Sequence, residues 1–298
     1  MWNRLGEQGG GMINDVFKPP RACFEAALGL RRDHFAAWTN LGLEGGGFVD
    51  GRLRTDKECL VKALTHNPNH APAWTHLGER GGGEVNGYFK TEKQCYETAL
   101  GQDASDSLAW TNLGLLGGGQ VEGEEWSAKE CFEVALKYKP HNFVALTSLG
   151  LEGGGQVGDI DKTEKECYEA ALKYNPDHAN AWTYLGRVGG GVVIDEEYTE
   201  AECYSRALDC QPDHAAAWAD LGRVGGGSVH DAFMTERECY EQALTLKADQ
   251  ADVWMSLSHQ GGGRVSGSYR SQSDCYATAL TYNPDLASWA DSEVPTSP

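Results

Sequence analysis

Trp38-Thr39-Asn40-Leu41-Gly42-Leu43-Glu44-Gly45-Gly46-Gly47-Phe48-Val49-Asp50-Gly51 decides the fold, because its pattern returns every 36 residues. The triple glycine begins at Gly9, Gly45, Gly81, Gly117, Gly153, Gly189, Gly225 and Gly261. Trp2, Trp38, Trp74, Trp110, Trp182, Trp218 and Trp254 keep the same beat, and Leu146 takes that place once. A Leu follows three residues later in every copy, from Leu5 to Leu257. Residues at i and i+3 share one helix face. A period of this length marks a solenoid made from one supersecondary unit.

Working outward, each copy reads as two helices. Helix A is expected to start at a capping Asp or Asn, such as Asp33, Asn69, Asp177 or Asp213, and to stop at the glycines. Helix B opens on a capping box, as in Thr55-x-x-Glu58, Thr91-x-x-Gln94 and Thr163-x-x-Glu166. It continues as Cys-aromatic-x-x-Ala-Leu, for example Cys95-Tyr96-Glu97-Thr98-Ala99-Leu100, and ends near Pro68, Pro140, Pro176, Pro212 or Pro284. Between the helices lies a loop anchored by Val or Ile: Ile13, Val49, Val85, Val121, Val157, Val193, Val229 and Val265. Turn signals such as Asp50-Gly51 and Asn86-Gly87 follow. Aromatics come next in several copies, including Tyr88, Phe89, Trp126, Tyr198, Phe233 and Tyr269, where loop contacts are expected. One Gly would cap helix A. The other two admit three readings: a tight turn, close packing of another backbone, or an anion nest.

Trp-x-x-Leu-Gly followed by Tyr-x-x-Ala-Leu and Pro resembles the tetratricopeptide repeat. The period is two residues longer than that family's usual length of about 34. The glycine loop is similar to that of the related Sel-like repeats. The resemblance covers residues 1–290 and implies an all-α, right-handed solenoid of about eight helix-turn-helix repeats, with helix A on the concave face. Residues 291–298 form a Pro-Ser-Thr tail.

The chain has 298 residues and a net charge of -19. That balance argues against wrapping nucleic acid, which needs clustered Lys and Arg, and against an anionic membrane surface. No apolar run approaches the roughly 18 residues of a membrane span. The start at Met1 reads as repeat rather than signal peptide, and no Asn begins an Asn-x-Ser/Thr sequon. Eight Cys occupy one repeat position, from Cys23 to Cys275, and Cys210 stands apart. They read as small buried hydrophobes in a reducing, cytoplasmic setting, or an extracellular one for a fibril. His34, His70, His178 and His214 read as helix-end surface residues; no metal or other cofactor is expected.

Periodicity spreads like groups along a line, whereas an enzyme needs unlike groups converging on one point. The sequence therefore points to a non-catalytic protein-interaction scaffold for a peptide or protein. Its candidate contacts are the helix A positions taken to be exposed: Thr39, Asn40, Thr75, His76, Thr111, Asn112, Tyr184, Arg187 and Arg223. The family's chaperone-tail clamp needs a Lys where Thr39, Thr75 and Thr111 stand and an Asn where Leu43, Glu79 and Leu115 stand, so that specificity is not implied. The alternative is a self-assembling protein forming head-to-tail filaments, tubes or rings. Its candidates are Trp2 and Leu5 at an uncapped start, Trp289 in a partial ninth helix A, and Gly45, Gly46 and Gly47.

Overall fold

The computed structural model describes residues 1–287. Among them, eight helices A run Trp2–Glu7, Phe35–Leu43, Ala71–Glu79, Ser107–Leu115, Phe143–Leu151, Ala179–Arg187, Ala215–Arg223 and Ala251–His259. Eight helices B run Pro20–Leu30, Asp56–His66, Glu92–Gln102, Ala128–Tyr138, Glu164–Tyr174, Glu200–Cys210, Glu236–Leu246 and Gln272–Tyr282. A short 3-10 turn, Pro284–Leu286, follows. The chain divides into two compact units, residues 1–160 and 161–298. Within each unit, every helix packs on the next along the chain.

Helix A terminates by an identifiable mechanism. In repeat 2, Gly45 N–H bonds the Gly42 carbonyl at 3.0 Å and Gly46 N–H bonds the Leu41 carbonyl at 2.8 Å. This is a Schellman motif, with Gly45 in the left-handed region at φ +84°. The helix B start also follows the sequence reading: Thr55, Thr91, Ser127, Thr163, Thr199, Thr235 and Ser271 all complete capping boxes. Helix B ends two residues before each of Pro68, Pro140, Pro176, Pro212 and Pro284.

The core is the repeated set. Cys59, Ala63, Leu64 and Leu77 are fully buried, and so are their equivalents along most of the chain. The Trp has a second task. Its indole N–H closes the turn entering helix A: Trp38 donates to the Arg32 carbonyl at 2.7 Å, Trp74 to Pro68 at 2.7 Å and Trp182 to Pro176 at 2.7 Å. The Gly after Leu makes room for the aromatic of helix B. A Cβ on Gly78 would stand 2.5 Å from Tyr96 Cε1.

Three local expectations change. First, the loop is a two-stranded antiparallel hairpin, as in Gly47–Val49 paired with Arg52–Arg54. Val49, Val85, Val121, Val193, Val229 and Val265 are buried and anchor it. The turn puts both central residues at positive φ, +54° and +71° at Asp50-Gly51, as a type I′ turn requires. Second, helix A is capped one residue later than expected. The N-caps are His34, His70, Asp106, Asn142, His178 and His214. Asp33, Asn69, Asp177 and Asp213 sit one position earlier, in the inter-repeat turn. That turn is held from upstream: Asn69 N–H and Asp177 N–H bond the side chains of Asn67 and Asn175. Third, Trp126 and Tyr198 are not free loop aromatics. Each packs edge-on against its own repeat's Trp, at 4.9 Å on Trp110 and 4.8 Å on Trp182. Tyr88, Phe89, Phe233 and Tyr269 are exposed, as expected of loop contacts.

Candidate functional site

Two surfaces emerge, one along helix A and one along the hairpins. On helix A, the three threonines fail the expectation of exposure. Thr39, Thr75 and Thr111 are 3%, 1% and 2% exposed. Each hydroxyl turns back to the carbonyl four residues earlier, that of Phe35, Ala71 or Ser107. Thr75 also donates to Asp106 at 2.6 Å, and Thr111 accepts from Asn142 at 2.8 Å. Thr75 and Thr111 thus join one repeat to the next repeat's cap, and all three hydroxyls are buried.

The next position along presents polar groups. In unit 1, half-buried Asn40 donates to Asn3 at 3.2 Å and Glu7 at 3.1 Å. His76 Nδ1 lies 2.7 Å from Glu79 Oε2. Asn112 differs, because its buried amide nitrogen has no hydrogen-bond partner. In unit 2, half-buried Tyr184 lies beneath the Arg187 guanidinium, 5.6 Å from the ring centroid. Arg187 Nε donates to Asp220 at 2.7 Å. Arg223 pairs with both Asp220 and Asp252. The Asp220 carboxylate, 7% exposed, thus lies between two arginines that keep 45% of their surface. Asp220 and Asp252 escaped sequence reading. Their signal was acid on helix A within reach of the preceding repeat's Arg.

The glycines on the hairpin side have separate roles. Gly45 is the cap. A Cβ on Gly46, also at positive φ, would overlap the Arg54 carbonyl oxygen. A Cβ on Gly47 would meet Leu41 Cδ1 at 2.8 Å and the Glu25 carboxylate. That carboxylate comes from the preceding helix B and accepts the Phe48 N–H at 2.7 Å. The bond recurs from Gln120 to Glu97 (3.0 Å), Gln156 to Glu133 (3.0 Å), Val192 to Glu169 (2.9 Å) and Arg264 to Glu241 (2.6 Å). Close approach of another stretch of backbone describes Gly46, within one chain, while Gly47 is packed by side chains. The anion beside the loop is the protein's own glutamate.

Of the assembly candidates, Trp2 and Leu5 are half-buried in the first helix, and Trp289 lies outside the described residues.

The eight periodic cysteines are buried, and Cys210 is exposed. Burial pushes the Cys59, Cys131, Cys203 and Cys239 thiols up to about 12, away from thiolate chemistry. The capping histidines are half-buried rather than on the surface. Burial lowers His70, His178 and His214 from the ordinary imidazole range. At His214 the neutral ring is the form the cap uses, since its Nδ1 accepts from the Ala217 N–H group at 3.2 Å; the Ala37 N–H group bonds His34 Nδ1 at the same distance. Among the described residues, no group of three His, Cys, Asp or Glu could hold a metal ion. No helix there is long and apolar enough to cross a membrane.

The family model of the tetratricopeptide repeat matches residues 165–189, the span from helix B of repeat 5 to helix A of repeat 6. No curated protein matches the chain. Among solved structures, one similar fold is c5321, a protective antigen present in uropathogenic Escherichia coli strains and displaying an SLR fold. It is 20% identical with a TM-score of 0.51, over 89% of this chain and 56% of that one. YrrB, a TPR protein with an unusual peptide-binding site, is 18% identical with a TM-score of 0.38, over 67% of this chain and 98% of that one. The fold is thus a helical solenoid of tetratricopeptide-like repeats.

Proposed function

We propose that the chain is a non-catalytic protein-interaction scaffold that holds a partner peptide along its helix A faces. The observation that carries this reading is Asn112. A buried amide without an acceptor costs about 1–3 kcal/mol. It sits in the row of Asn40 and His76, whose side chains do find partners. The residue as a whole is half-buried, so rotation of its side chain would turn the amide out to a peptide carbonyl laid along that face. Unit 2, by itself, offers Tyr184, Arg187 and Arg223 on its own helices A, with two carboxylates already fixing the arginines. Unit 2 also holds 23 of the 44 acidic side chains and 10 of the 25 Lys and Arg. That excess favours a partner with basic character there.

The test is Asn112→Ala. Removing an unsatisfied amide should leave the melting temperature unchanged or raised, while the affinity for a helix A ligand falls. A variant that melts as before and binds as before would count against the reading.

A further inference from the structure

The seams between each helix B and the next repeat's hairpin are filled by a charged pair one helical turn apart. The pairs are Arg21 with Glu25, Lys93 with Glu97, Lys129 with Glu133, Lys165 with Glu169, and Arg237 with Glu241. The glutamates accept the hairpin N–H groups described above. The two arginines reach the end of the next helix A, where Arg21 donates to the Glu44 carbonyl and Arg237 to the Gln260 carbonyl. Repeat 2 keeps the base but not the acid, with Lys57 and Val61, and the cavity beside them is about 240 Å³.

Repeat 6 has neither. Ala201 and Ser205 stand in the two places. The seam is open as a groove of about 860 Å³ between helix B of repeat 6 and the hairpins on either side. Ser205 is only 9% exposed, and its hydroxyl makes no hydrogen bond among the described residues although it lines the groove. Ser228 N–H, the equivalent of Phe48 N–H, is given no carboxylate by this helix. The Val224 carbonyl, the equivalent of Glu44 and Gln260, is given no guanidinium. Tyr198 and Phe233 form aromatic walls, while Glu197 and Asp231 lie on the lining beside Arg206 and His230, whose backbone N–H bonds Asp209 at 3.0 Å.

We propose that this groove binds a partner peptide carrying a basic and an acidic side chain one helical turn apart. The peptide's carboxylate takes the place of the missing Glu, on Ser228 N–H and the Ser205 hydroxyl. Its cation takes the place of the missing Lys or Arg, at the Val224 carbonyl and among the lining carboxylates. The lining carries Glu196, Glu197, Glu202, Asp209 and Asp231 against Arg206, a negative balance that disfavours an acid arriving alone, so both charges are needed. The aromatic walls cover the methylene stems. This site lies on the hairpin side of unit 2 and does not depend on the helix A reading.

The experiment titrates an acetylated and amidated alanine-based peptide, with Lys and Glu four residues apart, into the full chain by calorimetry. The peptide should bind saturably below about 1 mM. Replacing its Lys by norleucine, or its Glu by Gln, should each weaken binding at least about tenfold. The chain variant Ala201→Lys/Ser205→Glu restores the pair found in the other seams. It should melt higher than wild type and lose the peptide, while Asn112→Ala keeps it. Absence of saturable binding, equal binding of either charge-deleted peptide, or unchanged binding by the refilled seam would each overturn the proposal.

Discussion

At the scale of single residues, the three glycines of one loop carry different loads. Gly45 needs only its left-handed backbone, since a Cβ there would meet nothing nearer than the Arg21 side chain at 3.6 Å, an ordinary contact. Gly45→Ala should therefore cost about 1 kcal/mol. Gly46 adds a collision with the chain's own backbone, so Gly46→Ala should cost at least twice as much. Urea denaturation of the two variants checks the order, and equal losses would show that the collision is relieved cheaply. The capping histidines make a pH prediction. At His70, His178 and His214 burial holds the folded values below the ordinary value of about 6.5, so the unfolded chain binds more protons in that window. Stability should be full above that window, fall as pH drops through about 6.5, and level off below the folded values. The capping-box carboxylates act lower. Bonds from Ser127, Thr163, Thr199 and Thr235 lower Glu130, Glu166, Glu202 and Glu238. Their contribution is lost only as pH falls through those depressed values. Replacing His70, His178 and His214 by Asn, which already caps helix A at Asn142, should flatten the decline in urea midpoint between pH 7 and 5. An unaltered slope would place the titrating groups elsewhere.

At the scale of elements, what was legible follows from the size of each signal. Helices of nine to eleven residues, six in the first, carry Trp, Leu, Cys and Ala at helical spacing, and the eightfold repetition multiplies that signal. The hairpin strands are three or four residues long, and the first of each pair begins with glycine, too short to show alternation. The turn was readable where Asp50-Gly51 or Asn86-Gly87 announced it, but the strands flanking it were not. The cap was misplaced by one residue because Asp33 and Asn69 are good caps in isolation, while the Asx turn at Asn67 fixes the register. The buried threonines could not be recognised either, since their partners Asp106 and Asn142 lie 31 residues away. The hairpins differ in how well their turns suit them. Ile194 and Asp195 occupy the two positive-φ places, at +49° and +66°. A β-branched residue is strained there. Ile194→Asn/Asp195→Gly should stabilise the chain by about 1 kcal/mol or more, seen as a higher melting temperature. No gain would mean that exposed Ile194 makes a compensating contact.

At the scale of the whole molecule, repetition separates what holds the fold from what departs from it. Trp, Leu, Cys, Ala, the glycines and the caps recur because every hairpin needs them. Function is to be sought where one copy breaks the pattern its neighbours keep. Asn112 breaks it by leaving an amide without an acceptor; Ala201 and Ser205 break it by leaving a seam unfilled. The central claim, a partner held along helix A, is tested most directly by an affinity comparison. A peptide is selected on the Ala201→Lys/Ser205→Glu chain, in which the hairpin groove is closed. Its dissociation constant is then measured on that chain with and without Asn112→Ala. Binding along helix A predicts a loss of at least about tenfold at unchanged or higher melting temperature. Equal dissociation constants for the two proteins would contradict it.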